Sequence, residues 1–126
     1  ISSKKNALGF LINKIKNNEN IDLYFNGDFI RDYIHVEDVC SAIKLCIDKG
    51  SLNEIINIGN GEALKFKEII DYAIKETKSE SKINPINQPN FHKIVQVKDM
   101  YLNVNKLKKL NFIPKYDIRS GIKTIL

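Results

Sequence analysis

Residues 31–39 read Arg-Asp-Tyr-Ile-His-Val-Glu-Asp-Val, an arginine at the end of a short strand that opens, after one turn, into an amphipathic helix. A strand-to-helix junction concentrates free backbone N–H groups and positive potential. A guanidinium fixed beside it can clamp a phosphate through two parallel hydrogen bonds. This run therefore demands an architecture in which strands feed helices, and it marks a place where an anion can be held.

The rest of the chain keeps that alternation. Leu8, Leu11, Ile12 and Ile15 follow the i, i+3, i+4, i+7 rule and predict a helix over 7–17. Ile21 to Phe25 reads as a strand, Asn26-Gly27-Asp28 as a turn, and Phe29 to Ile34 as a second strand. These two strands form either a hairpin or two separately paired strands. A second helix is expected over 36–49, with Val39, Cys40, Ile43, Cys46 and Ile47 as its buried stripe and Gly50 as its stop. Glu54 to Ile58 is nearly continuously apolar, as expected of a strand covered on both faces, and Gly59-Asn60-Gly61 ends it. Phe66, Ile69, Ile70, Ala73 and Ile74 define a third helix over 66–77. Further expectations are short strands at 82–86 and 94–97, a helix capped by Asn105 and closed by Asn111, and a last helix capped by Asp117 with Ile118, Ile122 and Ile125 on one face.

With 126 residues, 43% of them hydrophobic, the chain suits one domain burying roughly two thirds of its unfolded surface. It begins with Ile1 rather than Met, which points to a fragment, an engineered piece or a processed product. The net charge of +5 favours anionic partners, but the lysines are dispersed and no arginine-rich or aromatic-basic tract occurs. Ordinary solvated faces explain them. Cys40 and Cys46 sit roughly 240° apart around one helix and cannot bridge each other. They lack the spacing of a metal site, so no metal is expected, and two free thiols point to a reducing cytoplasm. No apolar run approaches the roughly 20 residues that span a bilayer. Glu37 and Asp38 read as favourable charges at a helix start, and His35 as a packed helix-entry residue.

Four segments together resemble the extended short-chain dehydrogenase/reductases that act on nucleotide sugars, the NAD-dependent epimerase/dehydratase family. Tyr24-Phe25-Asn26-Gly27-Asp28-Phe29-Ile30-Arg31-Asp32-Tyr33 is similar to the family's Tyr-Gly-x-Gly…Arg-Asp-Phe/Tyr segment. Ile34-His35-Val36-Glu37-Asp38-Val39 begins the following helix. Ile56-Asn57-Ile58-Gly59-Asn60-Gly61 resembles a Tyr-Asn-Ile-Gly-x-Gly strand and turn. Asn103-Val104-Asn105-Lys106-Leu107, then Leu110-Asn111-Phe112-Ile113-Pro114, resembles Asp-x-Ser-Lys-Ala…Leu-Gly-Trp-x-Pro. Each is weak alone; four in register are strong.

The resemblance implies an α/β fold (α+β in isolation), the C-terminal substrate-domain portion of a Rossmann-type extended short-chain dehydrogenase/reductase with helices alternating with short strands. Residues 1–126 are then a single substrate-binding domain, and the N-terminal dinucleotide-binding domain is absent. Arg31 matches the arginine that binds the substrate diphosphate; the competing reading is a surface pair with Asp32 or Asp28. Tyr24 matches an aromatic position near the nucleotide base, its alternative being sheet packing. Phe25 departs from the family at a usual glycine, so the turn or the base pocket must change. Lys93 falls where a second diphosphate arginine often stands and Gln96 where a ribose-binding aspartate often stands; lysine keeps the charge without the fork, and glutamine can still bond a hydroxyl. His92 beside them reads as a solvent-facing loop residue.

Members of the family bind NAD or NADP through a glycine-rich strand–turn–helix, and Gly59-Asn60-Gly61 lacks the third glycine and the rest of that unit. Of the tyrosines, Tyr72 has Glu76 and Tyr101 has Asn105 where the family's general acid/base pair needs lysine four residues on. The expectation is a part of an NAD(P)-dependent nucleotide-sugar epimerase, dehydratase or reductase that holds the nucleotide diphosphate, binds no cofactor itself, is catalytically silent alone, and self-associates. It is expected to be cytoplasmic and to bind neither nucleic acid nor membrane. The alternatives are a stand-alone nucleotide-sugar binding module and a small basic nucleic-acid-binding domain.

Overall fold

The computed structural model describes residues 6–50, 53–90 and 97–126. Helix α1 (Ala7–Lys16) starts where the Asn6 side chain accepts a hydrogen bond from Gly9 N at 2.7 Å, which satisfies one orphan donor of the first turn. It buries Leu11, Ile12 and Ile15, the stripe expected from the periodicity. Strand β1 (Ile21–Tyr24) follows, then a 3-10 turn (Phe25–Gly27) and strand β2 (Ile30–Arg31). Helix α2 (Val36–Lys49), strand β3 (Leu64–Lys65) and helix α3 (Phe66–Thr77) come next. Strand β4 (Ile83–Ile86) precedes the short helices α4 (Asn105–Lys109) and α5 (Ile118–Lys123).

Of the two arrangements left open for the first strands, separate pairing is observed. β1 lies parallel to β4, with Ile21 opposite Ile83 and Tyr24 opposite Ile86. β2 lies antiparallel to β3, Ile30 opposite Lys65 and Arg31 opposite Leu64. Only Ile30 and Arg31 of the expected 29–34 strand enter a ladder, because Asp32 is drawn away to another turn. The main core forms where α1, β1, α3 and α5 meet: Ile15, Ile21, Ile70 and Ile122 are all but fully buried there. A second cluster of Ala42, Val104 and Leu107 lies beneath α2.

Two expectations about burial are corrected. The inward row of α2 is Asp38 and Ala42, with Cys46 half-buried, whereas Cys40 is exposed, Ile43 is 46% exposed and Ile47 78%. The small Val104–Leu107 cluster covers one narrow strip of that helix, so the row carrying Ile43 and Ile47 faces outward. Glu54 to Ile58 forms no strand and pairs with none among the described residues. Ile56 and Ile58 turn inward onto the second cluster while Ile55 is 86% exposed, so one face is covered rather than two. At α4 the cap is also displaced: Asn105 is the first helical residue, and Asn103 Oδ1 accepts from its backbone N at 3.0 Å. Asp117 caps α5 as expected, accepting from Ser120 N at 2.7 Å, and Ile125 lies at its exposed end. Most of the strand expected at 94–97 lies outside the described residues. Among the described residues no helix is long and apolar enough to cross a membrane.

Candidate functional site

The turn after β1 sets the geometry. Phe25, Asn26 and Gly27 have φ of 50°, 54° and 76°, three successive left-handed residues. Gly27 needs its missing side chain, since a Cβ there would meet Lys67 N at 3.0 Å. Phe25 takes a glycine-like conformation despite its Cβ, at a cost of about 1 kcal/mol, and its half-exposed ring stands outside the turn.

Directly beyond the turn, Phe29 stacks on Phe66 with centroids 4.9 Å apart, and Tyr33 packs at 6.3 Å from the same ring. Burial pushes the Tyr33 phenol up to about 12, against the opposing pull of the Arg31 charge. The Arg31 guanidinium lies 4.8 Å from the Phe29 ring centroid. Its Nη1 donates to the carbonyls of Ile30 at 2.6 Å and Lys98 at 2.7 Å, and its Nη2 to Val97 O at 2.9 Å. Two further bonds tie the same stretch to β2: Ile30 N donates to Asp99 Oδ1 at 2.9 Å, and Met100 N to Ile30 O at 3.1 Å. All of Arg31's hydrogen-bond partners among the described residues are neutral carbonyls, and no carboxylate ion-pairs with it there. It is therefore oriented without being neutralised.

The alternative pairings of Arg31 do not form. Asp28 instead pairs with Lys65 at 2.8 Å, and that hydrogen bond holds its carboxyl below the usual range. Asp32 accepts from Asn60 N at 2.9 Å, Gly61 N at 3.0 Å and Leu102 N at 3.2 Å. A Cβ on Gly59 would lie 2.7 Å from Asp32 Oδ2, and one on Gly61 2.5 Å from Val104 Cγ2, so both glycines make room for this clasp. The N–H groups of Asn60 and Gly61 already serve Asp32, so this turn does not fit a dinucleotide pyrophosphate.

Arg31 and Tyr24 line the same cleft, about 440 Å³, with Phe10 of α1, Asp22 of β1, Tyr33 and Phe66 among its other walls. Lys93, Gln96 and His92 lie outside the described residues. Two functional expectations, Arg31 and Tyr24, are thus brought together. Near the helix entry, His35 Nδ1 accepts from Glu37 N at 3.3 Å and its Nε2 lies 3.1 Å from Thr124 Oγ1, consistent with a packed role. Glu37 accepts from Lys115 Nζ at 3.1 Å and Tyr116 Oη at 3.0 Å, and these bonds hold its carboxyl low. Asp38 lies in the first turn of α2, as expected of a favourable charge at a helix start, and it is also buried. It is 2% exposed and accepts from the backbone N of Lys115 at 2.8 Å and Tyr116 at 3.0 Å. Among the described residues no group of His, Cys, Asp and Glu side chains is arranged to hold a metal ion.

Residues 2–59 match the model of the NAD dependent epimerase/dehydratase family. Over 124 residues the chain is 30% identical to CDP-abequose synthase of Salmonella muenchen, covering 93% of this chain and 40% of that protein. The family model thus covers just under half of this chain, while the likeness to that relative runs along nearly all of it. The chain is also 26% identical over 122 residues to a putative UDP-glucose 4-epimerase of Methanocaldococcus jannaschii, covering 95% of this chain and 37% of the relative. It thus spans well under half the length of these curated relatives. Among solved structures, UDP-glucose 4-epimerase of Thermotoga maritima with UDP-glucose superposes with a TM-score of 0.82 at 24% identity, covering 94% of this chain and 37% of that one. The dTDP-glucose 4,6-dehydratase of Bacillus anthracis in complex with NAD gives 0.78 at 21%, covering 97% and 38%. At such identities the likeness establishes the fold: an α/β portion of a Rossmann-type epimerase/dehydratase architecture.

Proposed function

We propose that this chain is the substrate-binding part of an NAD(P)-dependent nucleotide-sugar epimerase, dehydratase or reductase, and that Arg31 holds the nucleotide's diphosphate. What carries the reading is the state of Arg31: a cation oriented by three carbonyls, free of carboxylate partners among the described residues, on the wall of an aromatic cleft. A guanidinium fixed in this way loses little entropy on binding an anion. Tyr24 offers a flat ring for the base, Lys93 a second cation, and Gln96 a ribose contact. The structure of the Thermotoga epimerase with UDP-glucose supports the substrate class. Hydride acceptance and return is the chemistry that a bound NAD or NADP supplies, and the proposed place for it lies on a separate dinucleotide-binding domain. This chain's own contribution is to position the sugar nucleotide and offset its charge. Alone it binds without turnover.

Calorimetric titration with UDP tests this. Saturable binding is expected, with Arg31→Ala weakening it about 10- to 100-fold, the worth of a hydrogen-bonded charge contact, and Arg31→Lys falling between. Absence of UDP binding, or equal affinity in wild type and Arg31→Ala, would overturn the reading. Turnover of UDP-glucose by the purified chain would overturn its silence.

A further inference from the structure

The cleft that holds Arg31 also carries a negative charge. In β1 the buried residues are Ile21 and Leu23, so Asp22 and Tyr24 share the opposite face. Across the parallel ladder they stand beside Asn84 and Ile86. Asp22 lines the cleft, and its Oδ1 accepts a hydrogen bond from Asn84 Nδ2 at 3.2 Å. That bond orients the carboxylate and leaves Oδ2 as an acceptor. Among the described residues no cation pairs with Asp22, and Arg31 in the same cleft does not reach it as an ion pair. A bare carboxylate in a cleft built for a diphosphate repels the ligand unless the part that comes near it is a hydrogen-bond donor. The neutral donors of a nucleoside diphosphate are its ribose hydroxyls and the N–H groups of its base, and Asp22 shares its strand face with Tyr24, the ring proposed to cover the base.

We infer that Asp22, oriented by Asn84 beside the Tyr24 ring, selects nucleoside diphosphates whose base presents an exocyclic amino group. The inference rests on the proposed nucleotide-binding reading of the cleft and adds its base preference. An amino group at cytosine C4, adenine C6 or guanine C2 donates to the carboxylate. Uracil and thymine present a carbonyl lone pair at the position of the cytosine amino group, and two acceptors then face each other. CDP and UDP form a matched pair that differs at this edge, and ADP and GDP reveal whether a purine is admitted.

The test is a set of titrations with CDP, UDP, ADP, GDP and N4,N4-dimethyl-CDP, which keeps the cytosine ring but deletes both amino hydrogens. CDP, or an amino-bearing purine diphosphate, is expected to bind about tenfold more tightly than UDP, and if CDP is preferred the dimethyl analogue falls to the level of UDP. Asp22→Asn, which offers an amide donor to a carbonyl, is expected to erase that ratio. Arg31→Ala lowers all affinities in parallel and leaves the ratio unchanged. Equal affinity of the amino-bearing and carbonyl-bearing nucleotides, or a preference untouched by Asp22→Asn, overturns the inference while Arg31-dependent binding leaves the site standing. Failure of every nucleotide to bind overturns both. The dimethyl analogue reads the contact in unaltered protein, so the outcome does not hinge on folding of a variant.

Discussion

Arg31 gains its character from what it bonds. A guanidinium tied to carboxylates is spent; one tied to the carbonyls of Ile30, Val97 and Lys98 is held still with its charge intact. The neighbouring Tyr33 supplies a measurable consequence of burial. Its folded pKa of about 12 exceeds the ordinary value of 10.0, so above pH 10 the unfolded chain releases the phenolic proton more readily than the folded one. Stability is then fully present below pH 10 and falls as pH rises toward 12, by about 1.4 kcal/mol per pH unit at most. Denaturant titrations at pH 9 and pH 11 check this: the loss is expected in wild type and absent in Tyr33→Phe, and an equal loss in both places it on other groups. The place of Arg31, at a strand end ahead of a helix, was readable from sequence. The roles of Asp32 and Asp38 were not, because their partners are backbone N–H groups far along the chain, at 60, 61 and 102 and at 115 and 116. Nothing in the type or spacing of those residues announces them. Asp22 lay closer to legibility, since alternation in β1 places it on the face of Tyr24.

Among the elements, α1 and α3 were written in their periodicity, because both press a full apolar stripe into the main core. The spacing also located α2 but misassigned its inward face, since apolar residues on a helix bury only where something covers them. Ile43 and Ile47 have the right spacing and no cover. The strands were less legible for a related reason: whether Phe29 to Ile34 or Glu54 to Ile58 joins a ladder depends on partners distant in sequence. The Gly59-Asn60-Gly61 turn shows a motif serving packing rather than ligand. Gly61 combines φ of 72° with a Cβ position only 2.5 Å from Val104 Cγ2. Gly61→Ala is expected to destabilise the chain by about 2 kcal/mol or more through left-handed strain and overpacking together. Chemical denaturation measures it, and a cost below about 0.5 kcal/mol would show that the Asp32 clasp tolerates a side chain.

At the scale of the whole molecule, the surface around α2 is unfinished. Ile43, Ile47 and Ile55 stand exposed, and Ile43 and Ile47 share a shallow groove with Ile56 and Ile58. The segment at 54–58 lies outside any ladder among the described residues, and unpaired backbone invites association. Elsewhere Lys67 pairs with Asp71, Lys115 with Glu37 and Lys123 with Glu76. Self-association of this chain through the surface of Ile43, Ile47 and Ile55 is therefore expected. Sedimentation velocity across a concentration series should show oligomers that Ile55→Lys disperses; a monomer at all concentrations would contradict it.

The central claim concerns one side chain meeting two phosphates, and side-chain nitrogen-15 spectra of Arg31 read that meeting directly. Adding UDP is expected to shift the Arg31 Nε and Nη resonances and slow their exchange with water, while uridine, lacking phosphate, leaves them in place. Arg31 resonances unmoved at UDP concentrations that perturb the rest of the cleft would contradict the account.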